Sequence, residues 1–122
     1  MKRPLSQKKT ILLILEWCRR KYKKSKYFEE YPALTIRRTG CKYKGVFDDE
    51  ELLIEIFPNN HKTLNDLVKT MIHEYQHYLQ DPELYEHNSK ASEDNANKIM
   101  RRDFKECLKD LKKWQKNYLP KK

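Results

Sequence analysis

The sequence predicts a small α+β domain in which an N-terminal helix and a three-stranded, mainly antiparallel sheet precede a central helix and a long C-terminal helix. Three observations predict it. Apolar residues recur at helical spacing in three separate segments. Between Leu34 and Phe57 the pattern changes to short alternating runs. Pro58-Asn59-Asn60 and Pro82 punctuate the boundaries that follow. No repeat, low-complexity block or linker interrupts the 122 residues, so a single domain over 1–122 is expected.

The first helix is expected from about Leu5 to Lys24, where Ile11, Ile14, Leu15, Cys18 and Tyr22 form an apolar stripe. Leu34 to Arg37 alternates, Thr39-Gly40 suggests a turn, and the stretch from Cys41 to Phe47 carries Tyr43, Val46 and Phe47. Asp48-Asp49-Glu50 marks a second turn before a third strand over Leu52 to Phe57. This pattern predicts two short hairpins. Gly45 inside the middle strand predicts a bulge or a close backbone approach. The second helix runs from about Thr63 to Gln80 and stops before Pro82. Its stripe is Leu64, Leu67, Val68, Met71, Ile72, Tyr75 and Leu79. A loop over Asp81 to Asn88 leads to a third helix that starts between Ser89 and Ser92 and reaches about Tyr118.

Composition narrows the function classes. Only 38% of residues are apolar and 37% are charged, so the core is modest. Two glycines leave no phosphate-cradling loop. The formal net charge of +9 favours acidic partners such as nucleic acid, anionic membrane or acidic protein. Cys18, Cys41 and Cys107 are odd in number and widely spaced, which argues against a disulfide framework or a cysteine-bound zinc and suits reduced thiols in the cytoplasm. The apolar run Ile11 to Leu15 is too short for a secretory core, and no segment approaches a membrane span.

His73-Glu74-Tyr75-Gln76-His77 is the segment with the most chemistry. Residues four apart share a helix face, so both imidazoles can reach one metal ion. Glu74 lies roughly 100° round the helix, placed to move a proton from a metal-activated water. That is the geometry of a zinc hydrolase. About 100° per residue also turns His73 and His77 away from the apolar stripe, to the side of Asp66 and Thr70, and makes them available as ligands. Catalytic zinc usually takes three protein ligands. Glu83, Glu86, His87, Glu93 and Asp94 are candidates for the third. Glu93 fits best, because its direction on the third helix falls within roughly 20° of Met100, Phe104, Leu111 and Tyr118. An inward carboxylate is costly unless it is paired or binds metal.

His73-Glu74-x-x-His77 followed by Glu93 on the next helix resembles the gluzincin clan of zinc peptidases. The compact domain, with a small sheet before the motif helix, is similar to the minimal gluzincins, or minigluzincins; similar small zincins occur in phages and mobile elements. The resemblance covers about residues 34 to 102. It implies zinc held by His73, His77 and Glu93, with Glu74 as general base and acid of a metalloendopeptidase acting on a protein or peptide. Asn97 occupies the place where many gluzincins have an Asp that orients a ligand histidine. The downstream domain of large members, which carries a transition-state-stabilising His, has no counterpart, and Tyr85, Tyr78 or His87 are candidates to substitute. The resemblance also implies that a peptide adds along the strand Leu52 to Phe57 or its hairpin partner.

Two other function classes remain open. Arg101, Arg102, Lys105, Lys109, Lys112, Lys113 and Lys116 gather on one side of the third helix, a stripe that can track nucleic-acid phosphates or an acidic partner. Asp103, Glu106 and Asp110 offer that stripe local partners at i, i+3 or i+4. DNA-linked zinc proteases of the SprT type share the H-E-x-x-H pattern, but their third ligand is a histidine. A zincin-fold regulator without catalysis is the other class, against which the intact Glu74 argues.

Overall fold

The computed structural model describes residues 7–37 and 42–118, apart from the side chains of residues 85–87 and 115–118. The expected Thr39-Gly40 turn, Cys41 and the C-terminal tail lie outside the described residues. The elements follow in the order α1 (Gln7–Tyr22), β1 (Ala33–Ile36), β2 (Gly45–Asp48), β3 (Leu53–Ile56), α2 (Leu64–Leu79), α3 (Pro82–His87) and α4 (Ser89–Tyr118), with a single 3-10 turn at Pro58–Asn60. This is the expected α+β arrangement. No described helix is long and apolar enough to cross a membrane.

The sheet departs from the two-hairpin expectation. Its order is β1-β3-β2, with β3 in the middle. β2 and β3 form the antiparallel hairpin, pairing Gly45 with Ile56 and Asp48 with Leu53. β1 lies on the far side of β3 and runs parallel to it, Ala33 opposite Leu53 and Ile36 opposite Ile56. Alternation assigns side chains to faces of a sheet but carries no strand direction, which is why the parallel pair was not foreseen. Ile54, Ile56 and Phe47 turn into the core.

Local chemistry sets the helix ends. α1 closes with Lys23 in the left-handed region (φ 68°), where its N–H reaches the Arg19 carbonyl at 3.0 Å. The side chain of Thr63 caps α2 by accepting from the Asp66 N–H at 3.2 Å. Pro82 does more than stop α2. It opens α3, a short helix in the stretch read as a loop, capped by Asp81. Asn88 then caps α4 through the Ala91 N–H at 3.1 Å. At 30 residues, α4 extends for about 45 Å.

α2 is the centre of the molecule. Val68, Met71, Ile72 and Tyr75 meet Ile11, Ile14 and Cys18 of α1, Cys107 and Leu111 of α4, and the sheet. Burial holds the Cys18 and Cys107 thiols protonated, Cys107 being pushed up to about 12. Tyr78 is fully buried. Its hydroxyl accepts from the Ser25 N–H at 3.0 Å and donates to the Glu30 carbonyl at 2.8 Å.

The acidic residues of α4 behave differently from the expectation. They serve α1 more than the neighbouring lysines. Asp103 is buried and accepts from the Tyr22 hydroxyl at 2.7 Å. Asp110 accepts from the Trp17 indole N–H at 2.9 Å, and Glu106 pairs with Lys21 at 3.1 Å. Among the described residues, only Asp103 of these three also has a basic partner on its own helix, Arg102. The hydrogen bonds from Arg102 hold the Asp103 carboxyl below its ordinary range; the Tyr22 hydroxyl acts in the same direction and burial opposes. A depressed carboxylate contributes stability that is fully present above the unfolded value, about 3.9, and is lost as pH falls through the lower folded value. Asp103→Asn should therefore cost about 1–2 kcal/mol at neutral pH and flatten the acid limb below about pH 4. Denaturant unfolding between pH 7 and pH 2 checks this; a variant curve parallel to the wild type would contradict the assignment.

Candidate metal centre

His73 and His77 share one face of α2, as their spacing requires, but that face is not solvated. Five consecutive residues, Glu74 to Tyr78, are buried. At about 100° per residue they cover the whole circumference, so α2 is packed all round at this level. The side turned away from the apolar stripe lies against the first turns of α4, and His77 is only 2% exposed.

Three ligand atoms converge there. The two Nε2 atoms are 3.1 Å apart. Glu93 reaches them both, Oε1 at 2.8 Å from His77 Nε2 and Oε2 at 2.9 Å from His73 Nε2. Glu93 is not the inward-buried carboxylate expected from its helix direction. Its side chain is 51% exposed, so it sits at the mouth of the cluster and bends its carboxylate onto the imidazoles. Proximity to the start of α4 keeps it outside the apolar core.

The opposite ring nitrogens explain the orientation. His73 Nδ1 lies 2.9 Å from Asn97 Oδ1. His77 Nδ1 lies 2.9 Å from Gln80 Oε1 and 3.0 Å from Ser92 Oγ. The Gln80 amide is itself fixed, since its Nε2 donates to the Ser92 carbonyl at 2.9 Å and to Asn95 Oδ1 at 3.0 Å, and the Ser92 hydroxyl donates to its Oε1. Amide oxygens only accept, so each Nδ1 carries the proton. In neutral rings both Nε2 lone pairs then face the Glu93 carboxylate. Three acceptors at such range repel one another unless a proton or a metal cation lies among them.

The donor set suits a divalent metal. Two imidazoles and one carboxylate make a typical catalytic zinc set with one position left for water. Tetrahedral ligands at about 2.0–2.1 Å from zinc stand about 3.3 Å apart, so the two Nε2 atoms, at 3.1 Å, need to part by only a few tenths of an ångström, and one ligand atom from each of the three residues lies within 4.8 Å of the others. Burial lowers the pKa of His73, which favours the neutral imidazole that a metal requires.

Glu74 is 8% exposed and accepts a backbone N–H from Phe47 of β2. Its pKa is pushed up to about 8, chiefly by burial and then by the Glu93 charge, with the Phe47 hydrogen bond opposing. β2 is an edge strand. The Lys44 carbonyl accepts from the Phe57 N–H, so by the antiparallel alternation Gly45 and Phe47 turn their N–H and C=O groups outward. A cleft of about 280 Å³ opens between this edge, α2 and α4, lined in part by Gly45, Lys69, His73, Glu74 and Asn97. The outward edge next to Glu74 is thus β2, and β3, the other strand considered, is enclosed on both sides.

The structure brings His73, His77, Glu93, Glu74 and Asn97 together. It puts the Tyr78 hydroxyl elsewhere, bonded to Ser25 and Glu30, because Tyr78 points into the core. The side chains of Tyr85 and His87 lie outside those described. Gln80 and Ser92 were missed. Gln80 stands one turn after His77 on the same face, and Ser92 adjoins Glu93, which are the signals that could have found them. Comparisons with protein-family models, with curated proteins and with solved structures find no match.

Gly45 keeps the cleft in shape. A Cβ there would lie 2.7 Å from Thr70 Cγ2 and 3.2 Å from Ile56 Cδ1, the close approach foreseen for this residue. The Thr70 hydroxyl meets His61 Nε2 at 2.8 Å, which limits its freedom to move. Gly45→Ala should cost about 1–3 kcal/mol by overpacking. Adding Thr70→Ser, which removes Cγ2 and keeps the hydroxyl, should recover part of the loss. Thermal melts of the single and double variants measure both, and simple additivity of the two changes would contradict the contact.

Proposed function

We propose that this chain is a zinc-dependent peptidase in which His73, His77 and Glu93 hold the metal and Glu74 is the general base. The observation that carries the proposal is the convergence of three ligand atoms beside a buried carboxylate that borders an open strand edge. The resemblance of His73-Glu74-x-x-His77 and Glu93 to the gluzincin pattern supports the same reading.

A bound zinc supplies Lewis acidity, polarising a carbonyl and bringing the pKa of water toward about 7. The residues of the chain do the rest. Asn97 and Gln80 hold the two rings in the tautomer that presents Nε2. The outward N–H and C=O groups of Gly45 and the outward C=O of Phe47 receive an extended peptide as an added strand. Glu74, steadied by the Phe47 N–H, takes a proton from the attacking water as the C–O bond forms at the scissile carbonyl. It then delivers that proton to the amine nitrogen as the C–N bond breaks.

Glu74→Gln should retain zinc while losing about 10²–10⁴-fold in cleavage rate. Metal content and hydrolysis of a quenched-peptide library, measured on the same preparations, test this. Cleavage at the wild-type rate by the metal-loaded variant would remove Glu74 from the chemistry.

A further inference from the structure

α4 divides its charges by face. Taking about 100° per residue, Lys98, Arg101, Lys105, Lys109 and Lys112 fall within a sector of about 80°. All five are exposed. Asp103, Glu106 and Asp110 lie about 130° round the helix, where they engage Tyr22, Lys21 and Trp17 of α1. The acidic residues that were expected to neutralise the basic stripe are therefore occupied on another side. Among the described residues, none of the five cations is within ion-pair distance of a carboxylate. The stripe is bounded at its N-terminal end by Asp94 and runs for about 21 Å along the helix.

We propose that this outer face of α4 docks duplex nucleic acid through its phosphate backbone, without reading sequence. A straight row of exposed cations matches a polyanion whose strands carry a charge about every 3.4 Å, and release of condensed counterions provides the driving force. Two other kinds of partner fit less well. An interfacial membrane helix needs an apolar face to insert, whereas the apolar face of α4 packs into the core through Cys107 and Leu111. Among the described residues the large exposed apolar ones are Leu12, Tyr27, Tyr31 and Tyr43, none of them on α4. A protein partner is usually gripped by aromatic or apolar anchors at the centre of its interface, and this stripe offers none. The row of phosphate contacts is independent of the His73, His77 and Glu93 cluster, so its fate does not depend on the peptidase reading.

The test is fluorescence anisotropy of the full chain, purified without an affinity tag, on a labelled duplex of about two helical turns across a salt series. Four or five phosphate contacts predict a slope of about −4 in log K against log salt. The combined Lys105→Glu, Lys109→Glu and Lys112→Glu variant should bind at least about 100-fold more weakly at low salt and show a shallower slope. The matching triple Gln variant should fall between it and the wild type, with circular dichroism reporting that α4 is retained in each. Wild-type affinity and slope in the Glu variant would overturn the proposal, as would no saturable binding at low salt. Tighter binding to phosphatidylserine vesicles or to polyglutamate than to the duplex would overturn it too, assigning the face to a membrane or an acidic protein.

Discussion

Two imidazole Nδ1–H groups, each held by an amide oxygen, are the constraint on which the rest of the site depends. Asn97 fixes one ring and Gln80, with Ser92, fixes the other. With both tautomers set, the Nε2 lone pairs can only point toward each other and toward Glu93. Convergent acceptors are a poor arrangement for stability alone, since each repels the others at a separation where the surroundings screen weakly. They are a good arrangement for a divalent cation. The neutral amides also give the cluster a different balance from one supported by carboxylates: they orient the rings without adding negative charge.

The same packing explains why α2 can be buried on every side. Apolar residues cover the sides that meet α1, the sheet and the Cys107–Leu111 part of α4, while the side that meets the first turns of α4 is polar, with His73, His77, Gln80 and Ser92 hydrogen-bonded there. Gln80 serves as an adaptor, donating to Ser92 and Asn95 of α4 and accepting from His77 of α2. Glu74 completes the circle by bonding to β2. One helix thus joins the strand edge, the ligand cluster and the core, so a change in the spacing of α2 and β2 at Gly45 reaches the cleft beside His73. α4 performs an equivalent division, with Cys107 and Leu111 in the core, Asp103, Glu106 and Asp110 on α1, and Lys98, Lys105, Lys109 and Lys112 toward solvent.

Much of this was legible in the sequence because it is local. The helical span from Ser89 to Tyr118, the pairing of His73 with His77, the place of Asn97 and the need for glycine at position 45 follow from period, spacing and residue size. What was not legible depends on partners distant in the chain. Alternation could not tell that β1 runs parallel to β3. A helical wheel showed that the histidines leave the apolar stripe, but not that α4 would cover them, so their burial was missed. The wheel likewise turned Glu93 inward, although its place in the first turns of α4 leaves it half exposed at the rim. Asp103, Glu106 and Asp110 looked like local counter-charges until α1 was seen to claim them.

The central claim is that two oriented imidazoles and one rim carboxylate form a metal site. Elemental analysis of protein purified without an affinity tag and dialysed against a low concentration of zinc tests it most directly, alongside Glu93→Ala treated identically. The account predicts one zinc per chain in the wild type and a sharp fall in the variant, with the fold retained by circular dichroism. A wild-type chain that carries no zinc, or a variant that keeps a full equivalent, would contradict it.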